Sequence, residues 1–245
     1  MTSLLKSLLA TIIICLTAMM PSLAQELPKI LVFSKTADFR HDNIEVGAEA
    51  IQKLGRENRF DVEHSEDAHL FTKERLAQYQ VILFLSTTGN IFSDDQKSAF
   101  QDYIQNGGGF VGIHAASDTE HHWPWYERLI GGYFMSHPEV QLADIHVHNH
   151  EHPATVHLPK IWKRKDEWYD FEKLNPDVKL LMTLDENSYQ GGKMGNFHPI
   201  SWFHEYDGGR VFYTALGHTK EAFQEEDFLK HILGGIRYAL GLEKD

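Results

Sequence analysis

Two short apolar runs limit the architecture more than any other feature of this chain: KILVFS at 29–34 and VILFLST at 81–87. Both are nearly continuous in Ile, Leu, Val and Phe, with no polar residue at alternate positions, as in strands buried on both faces. Such strands belong to parallel sheets covered by helices on either side. FDVEHS (60–65) and GFVGI (109–113) repeat the rhythm more weakly. Between the runs lie helical patterns. Ile44, Ala48, Ile51 and Leu54 share one face, with Asp42 or Asn43 available as N-cap. SDDQ (93–96) is a capping box, followed by Phe100, Tyr103 and Ile104 on one face and a glycine stop at 107–109. Strand–helix alternation of this kind predicts an α/β fold of three layers around a doubly wound, mostly parallel sheet.

The C-terminal half differs. Residues 139–178 are rich in His, Pro and aromatics and read as an insertion with one strand around DIHVH. VKLLMTL (178–184) is a strand, ISWFHEYDGGRVFYTAL (200–216) a hairpin, and Phe228, Leu229, Ile232, Leu233, Ile236 and Leu240 form a closing amphipathic helix. No repeat or linker divides residues 25–245, which read as one domain.

Residues 1–24 are expected to be a signal peptide. Lys6 precedes the apolar run LLATIIICLTAMM, and SLA before Gln25 is a small-x-small cleavage site. A periplasmic or secreted protein, free of the membrane after cleavage, follows, with a retained anchor as the alternative. The single cysteine, Cys15, leaves with the leader, so the mature chain has neither disulfide nor thiol nucleophile. A net charge of −12 with scattered Lys and Arg argues against nucleic acid as a partner. Sixteen histidines are an ample supply of the residue that titrates near neutrality and binds metals.

Ligands of open α/β sheets bind beyond the carboxyl ends of the strands. That rule selects KTADFRHDN (35–43), TTGN (87–90), HAASD (114–118) and GHTKE (217–221). Three of the four carry a histidine: His41, His114 and His218. Gly112 and Ala116 flank His114 at −2 and +2, the pattern of a sharp elbow that presents a side chain to a cleft.

FRHDNI (39–44), GGGFVGIHAASDT (107–119), WPWYERLIGGYFMSHPE (123–139), DEWYDF (166–171), HPISW (198–202) and GGRVFYTALGHT (208–219) together resemble the ThuA-like family, associated with trehalose utilisation. The resemblance covers essentially the whole mature chain and implies a fold similar to flavodoxin-like class I glutamine amidotransferases. In that fold a cysteine nucleophile occupies the elbow and a histidine follows a late strand. Here His114 stands in the nucleophile's place and His218 matches the partner. Imidazole does not form a stable thioester, so the resemblance carries over the architecture and cleft position without glutaminase chemistry.

These readings converge on a set of candidate residues. His114, His218 and Glu167 are the catalytic candidates, supplying acid–base groups. Arg40, Asp118, Trp125, Tyr169, His198 and Trp202 are candidates for binding substrate, the aromatics by packing on the apolar faces of a sugar ring. Glu167 and Tyr169 are expected on one side of a strand. His41, His114, His137 and His218, with Asp118 or Glu139, would suit a divalent metal, zinc first among them. The tract HVHNHEH (146–152) reads as a solvated edge rather than a metal clamp. No glycine-rich fingerprint follows the first strand, so neither nicotinamide nor flavin is expected. The function this implies is an exported enzyme acting on a small carbohydrate, a sugar or keto-sugar, by hydrolysis, elimination or isomerisation. A carbohydrate-binding protein without catalysis and an amide hydrolase without a cysteine are the alternatives, and oligomeric state is left open.

Overall fold

The computed structural model describes residues 26–242; the expected leader and its cleavage site lie outside them. In chain order the elements are β1 (Lys29–Phe33), α1 (Ile44–Asn58), β2 (Asp61–Ser65), α2 (Lys73–Leu76), β3 (Val81–Leu85), α3 (Asp94–Gln105), β4 (Gly109–Ile113) and α4 (Pro124–Ile130). They continue with β5 (Tyr133–Ser136), β6 (Gln141–Val147), β7 (Ile161–Asp166), β8 (Asp170–Glu172), β9 (Lys179–Leu184), β10 (Pro199–Tyr206), β11 (Gly209–Thr214) and α5 (Glu226–Ala239).

The main sheet runs β2-β1-β3-β4-β11-β10-β9-β6-β7. The first five strands are mutually parallel and the last four join antiparallel. Every residue of β3 and β4 is buried, as their apolar sequences demand, because helices cover both faces. Helices α1 and α5 touch each other on one side. On the other, α3 and α4 bring Phe100 and Tyr126 against Phe84 of β3. The α/β architecture is therefore as the sequence indicates.

Two details depart from expectation. The region 139–178 holds three strands, not one, and β6 and β7 extend the main sheet while β8 pairs with β5. Strand β7, IWKRKD, alternates exposed and buried, but its inward residues are Trp162, Arg164 and Asp166. Two of these three are charged, so hydrophobic periodicity is silent there. Asn43 is the N-cap of α1 but makes no capping hydrogen bond. Its Nδ2 instead donates to Ser86 Oγ (3.2 Å) and to the Gly217 carbonyl (2.5 Å), tying the first cleft loop to the last. The expected capping box at Ser93–Gln96 is present.

The antiparallel wing curls, in keeping with the twist of a large sheet. Strand β7 is four places from β11 in hydrogen-bonding order, yet Arg164 packs on Phe228 of α5 and Asp166 meets the loop after β11. This curl carries the end of β7 over the carboxyl ends of β4 and β11. Among the described residues no helix is long and apolar enough to cross a membrane.

Candidate functional site

Strand β4 ends in the elbow. His114 follows Ile113 with φ of +53°, a left-handed conformation uncommon outside glycine, and opens a 3-10 turn over His114–Asp118. Gly112 is required by space: a Cβ there would meet Ile130 Cδ1 at 2.7 Å and Tyr213 Cδ2 at 3.0 Å. The Tyr213 hydroxyl donates to the His114 carbonyl (2.9 Å), holding the turned backbone.

The His114 ring is fully buried. Its Nδ1 lies 2.8 Å from the Ala215 carbonyl, which can only accept, so Nδ1 carries the proton. In the neutral ring Nε2 is then a lone pair. It faces His218 Nδ1 at 3.2 Å and Glu167 Oε2 at 3.4 Å. His218 Nδ1 is itself 3.1 Å from Glu167 Oε2. His41 closes the group from the first loop, its ring centroid 4.7 Å from that of His114 and 5.4 Å from that of His218. His41 Nδ1 is buried without a hydrogen-bond partner. One donor atom from each of His41, His114, Glu167 and His218 lies within 4.8 Å of the others.

The electrostatics follow from burial and proximity. Burial pushes His41 down to about 3, helped by the neighbouring His114 and His218, so it is neutral at pH 7. Burial opposes ionisation of Glu167, but its closeness to the His114 and His218 rings outweighs this and holds the carboxyl well below the usual range. Burial also opposes charge on His218, and its bond to Glu167 overcomes this and raises it. Glu167 is thus an anion facing several imidazoles. Its other oxygen, Oε1, is 3.1 Å from Nδ1 of the half-exposed His137, which also reaches the Pro138 carbonyl at 2.9 Å. Tyr169 lies with its ring centroid 4.3 Å from His114, forming one wall.

Of the residues singled out in the sequence, His41, His114, His218, Glu167, His137 and Tyr169 come together. Glu167 joins the three histidines as a potential ligand, and His137 reaches the group only through Glu167. Glu167 and Tyr169 sit in the irregular link between β7 and β8, so the curl of the wing aims them rather than strand alternation.

The other candidates lie elsewhere. Trp202 is a core residue: it is fully buried, donates to the Ile130 carbonyl and packs on Tyr213, so no ligand reaches it. Trp125 donates to Asp207 in the hairpin turn before β11, whereas His218 follows the other end of that strand, about 20 Å away. Arg40 turns from the cluster to Glu45 (2.7 Å) and Glu66 (2.8 Å) on the surface. Asp118 pairs with His121 at 2.8 Å, and Glu139 gives only its carbonyl, to Gln141. His198 is buried behind Tyr169, its Nε2 donating to the Tyr169 carbonyl (2.8 Å) and its Nδ1 2.8 Å from Glu186.

The tract 146–152 does not converge. His148 pairs with Thr183, while His152 is buried against Phe203 and Tyr238. Sequence reasoning missed Asp166, whose carboxylate accepts from the backbone N–H groups of Gly217 and His218 at 2.9 and 3.0 Å. A charged residue at an inward position of β7 was the available signal. A cavity of about 480 Å³ lined by Lys73, Tyr103, Gly107 and Arg210 lies at the opposite end of the sheet, where β4 begins.

A family described as ThuA, trehalose utilisation, matches residues 29–239. The chain belongs to the ThuA family. A ThuA-like protein from Bacteroides uniformis superposes with a TM-score of 0.75 at 26% identity, covering 89% of this chain and 94% of that one. Another from Parabacteroides merdae gives 0.72 at 23% identity, with 87% and 90% covered. A β-galactosidase from Bacillus circulans shares the fold at a TM-score of 0.58 and 12% identity, over 87% of this chain and 31% of that enzyme. No curated protein matches the chain in sequence. The ThuA match spans all three histidine loops and both Asp166 and Glu167.

Proposed function

We propose that this ThuA-family protein is an exported enzyme that processes a small carbohydrate, a sugar or keto-sugar, at the group formed by His41, His114, Glu167 and His218, with a divalent metal bound there. The observation that carries the reading is the convergence of three imidazoles and one carboxylate from four separate segments. Potential ligand atoms crowd together there, and His41 Nδ1 has no hydrogen-bond partner. Buried polar atoms are ordinarily satisfied, so this donor set suits a cation. Three nitrogens and an oxygen match the ligand preferences of zinc. When bound, such an ion supplies Lewis-acid polarisation of a carbonyl or an activated water.

The residues around the group have distinct tasks. The Ala215 carbonyl fixes the His114 tautomer and leaves Nε2 free to coordinate, the usual arrangement for a metal-ligating histidine. His137 orients Glu167 from its far oxygen. With Nδ1 committed to Glu167 and Pro138, the Nε2 of this half-exposed ring is the nitrogen left to exchange a proton with substrate or solvent. Tyr169 offers an aromatic wall beside the reacting region. A group of this kind serves hydrolysis, elimination or isomerisation next to a carbonyl.

The reading is tested by following trehalose, simple glycosides and their keto derivatives by NMR with zinc-loaded mature protein. Product formation that disappears in His114→Ala and His218→Ala supports it. Turnover retained in both variants overturns the site assignment.

A further inference from the structure

His218 is the most exposed member of the four-residue group. It follows Gly217, at φ of +101°, in an irregular segment, and its side chain is 26% exposed, whereas His114 and His41 are buried. Its ring position therefore depends on what fixes its backbone.

That fixing comes from Asp166, which is fully buried. Its Oδ2 accepts from the Gly217 N–H (2.9 Å) and from Arg164 Nη2 (3.1 Å). Its Oδ1 accepts from the His218 N–H (3.0 Å) and from the Glu167 N–H (3.0 Å). The guanidinium of Arg164 is buried too, 4.7 and 4.9 Å from the ring centroids of Trp162 and Phe228, and its Nη1 is 3.3 Å from Glu225 Oε2. Arg164 thus links Asp166, which holds the start of segment 217–225, to Glu225 at its end. Charge-assisted bonds of this kind are short and directional. Glu167, the next residue, meets the His218 ring. Two adjacent carboxylates grip the main chain and the imidazole of one residue.

We infer that Asp166, braced by Arg164, is the positioning residue that sets His218 for coordination, and that the Arg164–Asp166 pair tunes metal affinity without touching the metal. The inference rests on the proposed metal reading, but the clamp is measurable without an ion. Asp166→Asn keeps the shape, removes one acceptor and leaves Arg164 short of its counter-charge. The double variant R164M/D166N removes both charges, which avoids an unpaired buried cation if the single variant folds poorly.

Amide hydrogen exchange on the metal-free chain reads the clamp directly. Exchange at Gly217 and His218 rises about tenfold or more in the variants, the effect of losing a charge-assisted bond. Zinc competition titration and the visible spectrum of the cobalt(II)-loaded protein read its consequence: a 10–100-fold loss of zinc affinity, typical of an outer partner, with an altered cobalt band. His198→Ala, which loosens the neighbouring buried network, serves as the structural control and leaves the cobalt band in place. Unchanged exchange at Gly217 and His218 overturns the inference. Faster exchange together with wild-type zinc affinity and an unaltered cobalt band overturns its metal half. A wild-type chain that takes up no zinc, with exchange still accelerated in the variants, contradicts the metal reading while the clamp stands.

Discussion

Two clusters of histidine and carboxylate lie close together in this molecule, built from the same residue types and oppositely equipped. Asp170, Glu186 and His198 also approach within 4.8 Å of one another. There both nitrogens of His198, both oxygens of Asp170 and Oε1 of Glu186 already have protein partners: the Tyr169 carbonyl, Tyr189, Ser136 and the N–H groups of Lys193 and Met194. In the His41–His114–Glu167–His218 group, four ligand atoms crowd within 4.8 Å and His41 Nδ1 has no hydrogen-bond partner. The composition of a cluster says little. Whether its lone pairs are already used separates a structural brace from a site, and the brace holds Tyr169, which walls the site.

The largest difference is expected in metal uptake. His114→Ala or His218→Ala should lower zinc affinity by more than the ~10–100-fold that follows loss of an outer partner, measured by competition with a chromophoric chelator. Equal losses from His198→Ala would erase the distinction between the clusters. In stability the order reverses. His198→Ala strands the Tyr169 carbonyl and should cost about 1–3 kcal/mol, read by denaturant unfolding of the metal-free chain.

Acid should unfold the protein through its buried histidines, His41 in the site and others outside it. Burial pushes His231 down to about 3 and His152 and His204 to about 4. Their folded values lie below the unfolded 6.5, so the unfolded chain binds more protons as pH falls. Stability is fully present above about pH 6.5 and is lost on descending towards 4, by at most about 1.4 kcal/mol per pH unit per histidine. Thermal melting across that range checks the slope, and His231→Gln should flatten it. The smallest effect belongs to Arg40→Ala. Its ion pairs are exposed, and under about 1 kcal/mol of stability should be lost with no change in zinc affinity. A large loss of affinity would return Arg40 to the site.

The sheet and the three histidine loops were legible because short apolar strands place their carboxyl-end loops in one cleft. Gly112 and Ala116 marked the elbow, although not the positive φ of His114. The contribution of β7 was not legible. Its inward Arg164 and Asp166 break the apolar alternation, and only the curl of the wing brings Glu167 to the histidines. The tryptophans misled for a different reason. Trp125 and Trp202 stand beside polar motifs in sequence, but large aromatics are the default filling of a core, and chain proximity cannot separate the two uses.

The most direct measurement is a crystal structure of the mature chain grown with zinc, with anomalous diffraction recorded on both sides of the zinc edge. The account predicts one strong anomalous peak bonded to His41, His114, Glu167 and His218, at about 2.0–2.2 Å from each donor. A site left without a peak at saturating zinc, or a peak at Asp170, Glu186 and His198 instead, would contradict it.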